Sequence, residues 1–167
     1  MPSVLFVCLA NRFRSPLAAA IFKKSLEEKG ISACYQVDSA GTWASPGLPP
    51  LPRVLEAARE LGLDLSCHRA VRLKEEMLKA YDLILVMQSS QKEALQVEFP
   101  SLYEHIYLLS HVLERRTYDF PDLSESGQEV AEVSADLNLL VRQGLDHICV
   151  LACYLHNIRE NATVRNG

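Results

Sequence analysis

Short apolar segments alternate with helical patterns along this chain, and that alternation restricts the possible folds more than any other feature. Strands are predicted where apolar residues run together, at 3–8, 35–40, 83–87 and 106–109. Helices are predicted after them, at 16–29, 51–61, 89–98 and from about 127 toward 159 as one long C-terminal helix. Strands separated by helices in this way form parallel sheets with both faces covered. The sequence therefore predicts an α/β fold with a four-stranded parallel sheet between two layers of helices.

Composition indicates the size of the protein and the classes of partner to expect. A chain of 167 residues with 49% hydrophobic content is predicted to form a single domain, 1–167, around one core. The net charge of −4, without basic runs interleaved with aromatic residues, argues against nucleic acid as a partner. The apolar stretch 148–155 is too short to span a bilayer, and the sequence opens directly on the first strand, so neither a membrane nor a signal peptide is expected. Five cysteines at irregular spacings fit a reducing compartment, which predicts a cytoplasmic location.

The first predicted strand runs directly into a C-x5-R-S sequence, which begins at Cys8 and ends at Arg14 and Ser15. A short loop between a strand end and a helix start lets backbone N–H groups converge on one point, where the helix dipole also favours an anion. A cysteine at that point, beside a cationic side chain, favours its thiolate form and is a competent nucleophile. An arginine fork matches two phosphoryl oxygens. This pattern predicts a phosphate-binding site with a nucleophilic cysteine.

The sequence resembles the low-molecular-weight protein tyrosine phosphatases over nearly its whole length. That family opens with C-L-G-N-I-C-R-S-P, and residues 8–16 here read C-L-A-N-R-F-R-S-P, so six of the nine positions agree. Three further segments match in order: S-A-G-T-W at 39–43, G-L-D-L-S-C-H-R-A at 62–70 and D-L-I-L-V-M at 82–87. The resemblance implies the three-layer, Rossmann-like fold of this family, a hydrolase activity that needs no metal or other cofactor, and a phosphotyrosine-containing protein or a small aryl phosphate as substrate.

The resemblance also implies roles for individual residues. Cys8 would attack phosphorus, while Arg14 and the loop amides hold the equatorial oxygens. Ser15 would donate a hydrogen bond to the sulfur. Supporting roles in holding the loop in shape are implied for Asn11, Ser39 and His68. Of these, His68 is expected to hydrogen-bond Asn11. The loop residues expected to contact substrate are Leu9, Ala10, Asn11, Arg12 and Phe13.

The general acid is harder to place, because the family takes it from a D-P-Y-Y loop and residues 119–125 read D-F-P-D-L-S-E. Asp122 is the first candidate, since family members often carry a proline one residue before this aspartate. Asp119 is the alternative, and both could be ordinary turn carboxylates beside a proline. The two tyrosines of the family loop are missing, so Trp43 is left to supply an aromatic pocket wall, unless it is a core residue.

Two departures within the loop bear on specificity and oxidation. Arg12 stands where relatives specific for phosphotyrosine carry an apolar residue and those acting on phosphoarginine carry threonine, and a guanidinium there would repel phosphoarginine. Phe13 replaces a second loop cysteine that forms a protective disulfide in many members. Peroxide is therefore expected to overoxidise Cys8 unless Cys34 or Cys67 can reach it.

The C-terminal region contains four residues of metal-binding type within ten positions, His147, Cys149, Cys153 and His156. The apolar residues between them favour a helix that packs on the core, or on a second copy, over a zinc site. The expected state is a monomer or a weak homodimer.

Three functions remain open at this stage. The first is the phosphatase activity described above. The second is a thiol-linked arsenate reductase, which requires additional cysteines around the third strand, and residues 81–99 contain none. The third is a non-catalytic module that binds phosphate or phosphoproteins, although binding alone would not require the thiol.

Overall fold

The computed structural model describes residues 1–122 and 130–165, and it has one parallel sheet at its centre. The strands are β1 (Ser3–Cys8), β2 (Gln36–Gly41), β3 (Leu83–Val86) and β4 (Ile106–Leu108). Their order across the sheet is β2-β1-β3-β4, and every neighbouring pair is parallel. The predicted α/β fold with a four-stranded parallel sheet in a single domain is confirmed. Because β1 lies at the centre, its carboxyl end is flanked by β2 and β3.

Helices cover both faces of the sheet, as predicted. They are α1 (Arg14–Glu28), α2 (Pro52–Glu60), α3 (Glu75–Ala80), α4 (Ser89–Glu98), α5 (Leu109–Glu114), α6 (Val130–Gln143) and α7 (Leu145–Arg165). Short 3-10 helices occupy Ser32–Cys34 and Pro100–His105. Among the described residues, none of these helices is long and apolar enough to cross a membrane.

The side chains of β1 point alternately to the two faces of the sheet, and both faces are covered by helices. Phe6 packs with α1, α2, α5, α6 and α7 in one core cluster, whereas Leu5 and Val7 pack with α3 and α4 in another. All three are fully buried. A strand covered on both faces has no polar alternation, so the sequence of β1 after Ser3 is apolar.

The prediction of one long C-terminal helix is wrong in one respect, because the structure has two helices there, α6 and α7, which are separated at Gly144. A Cβ atom at this glycine would lie 2.4 Å from Cδ2 of Leu113 in α5. Helix α5 can therefore approach this closely only because glycine has no side chain. The predicted start of this helix near residue 127 lies outside the described residues.

The apolar residues of α7 divide between core and surface. Ile148 and Leu155 are buried, as the packing interpretation requires, but Val150 is 69% exposed. The Cys153 Sγ atom lies 3.3 Å from the hydroxyl oxygen of Tyr35, and burial raises the pKa of the neighbouring Cys149 thiol. The two thiols therefore face the body of the protein, while Val150 leaves an apolar position on its surface.

Candidate active site

The predicted phosphate-binding loop lies at the carboxyl end of the sheet, between the last residue of β1 and the first residue of α1. Parallel sheets bind ligands at this edge. Cys8 is 2% exposed and Arg14 is 1% exposed. They border a cavity of about 90 Å³, whose lining residues are Cys8, Ala10, Arg12, Phe13, Arg14, Leu51 and Asp122. The structure thus brings Cys8, Arg14 and Asp122 to one cavity.

The backbone carbonyls of the loop accept hydrogen bonds from groups that lie outside the loop. The acceptors and their donors are Cys8 O with Thr42 N (3.0 Å), Leu9 O with Trp43 N (2.9 Å), Asn11 O with His68 Nε2 (2.8 Å), Arg12 O with Leu51 N (3.3 Å) and Phe13 O with Leu17 N (3.1 Å). The C=O and N–H of a trans peptide point in opposite directions, and the described residues contain no cis peptide. The amides that follow these carbonyls are therefore directed into the loop. They belong to Leu9, Ala10, Arg12, Phe13 and Arg14.

Asn11 holds the loop in its curved shape. It has a left-handed backbone with φ 55°, which asparagine adopts more readily than most residues. Its Nδ2 donates to the hydroxyl oxygens of Ser15 and Ser39, each at 2.9 Å, and its Oδ1 accepts from the backbone N–H of Val71 at 2.8 Å. One buried side chain therefore joins α1, β2 and the segment after residue 70. His68 bonds the Asn11 backbone oxygen rather than its side chain.

The Cys8 sulfur is surrounded by groups that can stabilise negative charge. The backbone N–H of Asn11 donates to Cys8 Sγ at 3.3 Å, and Ser15 Oγ lies 3.0 Å from the same sulfur. The Ser15 hydroxyl is fully buried and also lies 3.2 Å from the carbonyl oxygen of Ala40. Because the Asn11 side chain donates to Ser15 Oγ, the hydroxyl proton remains available for either Cys8 or Ala40.

Arg14 points toward the predicted acid segment. Its Nη1 donates to the backbone oxygen of Phe120 at 2.7 Å, and its Nη2 forms an ion pair with Asp122 Oδ2 at 2.6 Å. The guanidinium is buried, whereas the Asp122 side chain is 21% exposed. An arginine that can bind an oxyanion therefore holds a carboxylate of its own chain in this structure.

Asp119 occupies a different position. Its Oδ1 accepts hydrogen bonds from Ser89 N at 2.7 Å and Ser89 Oγ at 2.8 Å, at the first residue of α4. A carboxylate there satisfies a free N–H of the helix terminus and interacts well with the helix dipole. Asp119 is not among the residues that line the cavity at Cys8. The remainder of the predicted acid loop, 123–125, lies outside the described residues.

Trp43 lies at the surface beside the loop. The side chain is 73% exposed, so the alternative that it is a core residue is wrong. Its backbone N–H supports Leu9, while its ring lies 5.3 Å from the guanidinium carbon of Arg72. Trp43 is not among the residues that line the cavity at Cys8.

The two unusual loop residues are both close to that cavity. Arg12 borders it and is tethered by a hydrogen bond of 2.7 Å from its Nε to the backbone oxygen of Pro49. Phe13 is 4% exposed and also forms part of the wall. Cys34 and Cys67 are exposed free thiols and do not line the cavity.

Sequence reasoning did not assign site roles to two residues that the structure places there. A Cβ atom at Gly41 would lie 2.5 Å from the Leu9 oxygen and 2.9 Å from the Asn11 nitrogen, so the loop packs directly on the bare backbone of β2. Leu51 lines the cavity and donates its N–H to Arg12. The S-A-G-T-W match marked Gly41, whereas no signal distinguished Leu51 from the other residues at the start of a helix.

Comparisons with known proteins agree with this geometry. A family model described as low molecular weight phosphotyrosine protein phosphatase matches residues 3–150. The chain is 33% identical over 144 residues to the probable low molecular weight protein-tyrosine-phosphatase EpsP of Ralstonia solanacearum, covering 86% of this chain and 91% of that protein. It is 30% identical over 141 residues to the protein-arginine-phosphatase of Bacillus subtilis, covering 84% and 92%.

The solved structures extend the similarity to the fold. The crystal structure of a YwlE mutant from Bacillus subtilis aligns with a TM-score of 0.80 at 28% identity, covering 89% of this chain and 99% of that chain. The family match spans most of the sequence and contains the whole loop from Cys8 to Ser15. The chain therefore belongs to the low molecular weight phosphotyrosine protein phosphatases, a family of hydrolases.

Proposed function

We propose that this protein removes phosphate from phosphotyrosine in proteins, or from small aryl phosphates, through a phosphocysteine intermediate. The observation that carries the proposal is the environment of the Cys8 sulfur. It receives the N–H of Asn11, lies 3.0 Å from Ser15 Oγ and sits in a loop whose amides are directed inward. That arrangement places hydrogen-bond donors around the attacking sulfur and also provides donors for the oxygens of a phosphoryl group.

In the first step, the Cys8 thiolate attacks phosphorus, forming an S–P bond as the bond from phosphorus to the phenolic oxygen breaks. The loop amides and Arg14 hold the three equatorial oxygens, over which negative charge spreads. Asp122 gives its proton to the leaving oxygen. In the second step, water attacks the phosphocysteine, Asp122 takes a proton from that water, and Cys8 leaves as a thiolate that Ser15 stabilises.

In the substrate-free protein, the cycle begins with Arg14 and Asp122 in an ion pair. A bound phosphoryl group provides two oxygens for the guanidinium fork, so it competes with the Asp122 carboxylate for Arg14. Substrate binding therefore displaces the Asp122 carboxylate from Arg14, after which the carboxylate takes up a proton and meets the leaving oxygen. Asp119 is a poorer acid candidate, because Ser89 holds its carboxylate at the start of α4.

Arg12 supports a preference for phosphotyrosine over phosphoarginine. Arg12 borders the cavity, and its guanidinium would repel the cationic group of phosphoarginine. The relative named protein-arginine-phosphatase shares the family but does not decide the substrate of this chain. The presence of Cys8 together with Ser15 argues against a module that only binds phosphate. We further propose that the protein acts in the cytoplasm, where its five free cysteines would stay reduced.

The test is hydrolysis of para-nitrophenyl phosphate by freshly reduced protein between pH 4 and 8, with Cys8→Ser measured beside it. We expect turnover by the intact protein and none above background for Cys8→Ser, whose hydroxyl is a far weaker nucleophile. Rapid acid quenching should trap phosphate on the intact protein, with the modification mapped to Cys8. Binding of inorganic phosphate without any turnover would instead support the non-catalytic module.

A further inference from the structure

A second cavity lies at the same edge of the sheet as the phosphate-binding loop. It has a volume of about 370 Å³ and opens between the segment 72–75 and helices α3 and α4. Its lining includes an apolar part, formed by Leu78, Leu95 and Phe99, and a cationic part, formed by Arg72 and Lys74. The site proposed above uses none of these residues.

Gln91 is the unusual residue of this cavity. The residue is 8% exposed, and neither its Oε1 nor its Nε2 has a hydrogen-bond partner among the described residues. A buried carboxamide without partners is costly, because it has lost water and gained nothing in return. The group has a donor and an acceptor side by side, and it needs a partner that presents an acceptor and a donor in the same direction. In an extended peptide the N–H and C=O of one residue point to the same side, so such a residue would satisfy both atoms at once.

The cavity is connected to the catalytic loop through the backbone. Thr42 lines it and donates its N–H to the carbonyl oxygen of Cys8 at 3.0 Å. Arg72 pairs with Gly41 as an isolated parallel bridge. An extended peptide advances about 3.3–3.6 Å per residue. Residues a few positions from a phosphotyrosine held over Cys8 would therefore reach the cavity.

The charges at the cavity favour an acidic substrate segment. Arg72 and Lys74 are both exposed. Glu75, which also lines the cavity, is paired with Lys79 at 2.5 Å, which offsets its charge. Glu98 is the remaining acidic residue of the lining. A peptide with an apolar side chain for Leu95 and Phe99, and a carboxylate for Lys74, would complement this surface.

We propose that this cavity binds the segment beside the phosphotyrosine of a protein substrate, with the N–H and C=O of one extended residue of that segment hydrogen-bonded to Gln91. The inference rests on the proposed function, because it supplies the substrate recognition of the same reaction. It makes Gln91 a specificity residue that has no part in the chemistry at Cys8.

The experiment compares two substrates in matched variants. The substrates are para-nitrophenyl phosphate and a nine-residue peptide with a central phosphotyrosine flanked by leucine and glutamate. Gln91→Leu removes the amide at similar size, and Ala94→Phe fills the cavity from α4. Glu93→Gln, on the same helix and outside the lining, is the control. We expect kcat/KM for the peptide to fall about fivefold to thirtyfold in both cavity variants, mainly through KM, with para-nitrophenyl phosphate unchanged within about twofold.

The outcomes separate this inference from the proposed function. No turnover of para-nitrophenyl phosphate by the intact protein removes the proposed function, and the inference with it. Normal turnover of both substrates in both cavity variants overturns the inference alone. Equal losses on the two substrates would place the effect at Cys8 and also overturn it. A dimer that is lost in Ala94→Phe, with peptide kinetics unchanged, would assign the cavity to a second copy of the chain.

Discussion

The phosphate-binding loop and the acid segment meet at Arg14 but are held in different ways. The loop is fixed by hydrogen bonds to its backbone and by the buried amide of Asn11, from partners in β2, α1 and the segment after residue 70. The segment 119–122 is held by Asp119 at α4, by Phe120 N on Met87 O at 3.0 Å and by the pair between Asp122 and Arg14. The last of these is a contact that substrate itself would replace. The comparison indicates a loop that is formed before substrate arrives, whereas the final position of Asp122, the acid that we propose, would be set by substrate binding.

The largest effect is expected from the acid segment. Asp122→Asn should lower kcat for phenyl phosphate by about two to four orders of magnitude, because the phenoxide then leaves without a proton. The loss should be smaller for para-nitrophenyl phosphate, whose leaving group needs the proton less. Steady-state kinetics on both substrates measure the difference.

Asp119→Asn is the matched control. It should change kcat by less than about threefold while lowering the unfolding free energy by about 0.3–1 kcal/mol, because the amide oxygen still accepts from Ser89 and only the negative charge at the start of α4 is lost. If Asp119→Asn showed the large loss in kcat and Asp122→Asn did not, Asp119 would be the general acid. The acid would then be held at α4 and would not be positioned by substrate.

The next largest effect is expected from the loop. Asn11→Ala removes an amide that serves Ser15, Ser39 and Val71, and it places alanine at φ 55°. We expect the unfolding free energy to fall by about 2–4 kcal/mol, from unsatisfied polar groups and left-handed strain. Activity should fall at least tenfold, as the loop loses its shape. Urea denaturation and kinetics test both expectations.

Ser39→Ala removes only one of these bonds and should cost about 0.5–1.5 kcal/mol. If Asn11→Ala were no more destabilising than Ser39→Ala, the loop would not depend on the asparagine in the way its contacts indicate.

A smaller effect on activity is expected where the loop rests on β2. Gly41→Ala introduces a Cβ atom 2.5 Å from the Leu9 oxygen, and such overpacking usually costs about 1–3 kcal/mol. We expect a reduced melting temperature and a several-fold loss in kcat as the amides of the loop shift. Calorimetry and kinetics provide the two measurements.

Gly47→Ala serves as the control, since Gly47 has a φ of +85° and nothing within 4 Å of its missing Cβ. It should lose stability by about 1–2 kcal/mol from backbone strain, without any loss of activity. Equal losses of activity in the two variants would show that close approach to the loop is not what Gly41 provides.

The smallest effect concerns specificity. Arg12→Thr should raise the ratio of phosphoarginine to phosphotyrosine hydrolysis by about threefold to tenfold, because repulsion between partly exposed guanidinium groups is worth about 1 kcal/mol. Turnover of para-nitrophenyl phosphate should stay within about threefold. A ratio unchanged by the substitution, measured on matched peptides, would remove charge repulsion at Arg12 as a cause of selectivity.

Elements that depend on local pattern were predicted well, and those that depend on packing were not. All four strands were found, and the helix Ser89–Glu98 was predicted with its bounds. The helices α3 and α5 were missed, because six residues are too few to show a helical period. The division at Gly144 was missed as well, since it arises from contact with Leu113. A glycine within a helical pattern does not by itself mark a break.

The candidate site shows the same division. Cys8, Arg14 and Ser15 follow from the spacing of one short segment. The pair between Arg14 and Asp122 joins residues 108 positions apart, so no local pattern could predict it. The supporting contact from Leu51 to Arg12 likewise arises only because the loop before α2 folds back on the catalytic loop.

By itself, the sequence determined the sheet, the family and the position of the cysteine that we propose as the nucleophile, because apolar periodicity and the short C-x5-R-S segment act over a few neighbouring residues. Only the tertiary structure decided that Arg14 holds Asp122, that Asp119 caps α4 and that Trp43 lies at the surface. It also decided that the buried Gln91 side chain has no hydrogen-bond partner within 1–122 and 130–165. Each of these depends on which distant segments share the carboxyl edge of the sheet. Packing sets that arrangement, and the spacing of residues within a short segment of the chain does not predict it.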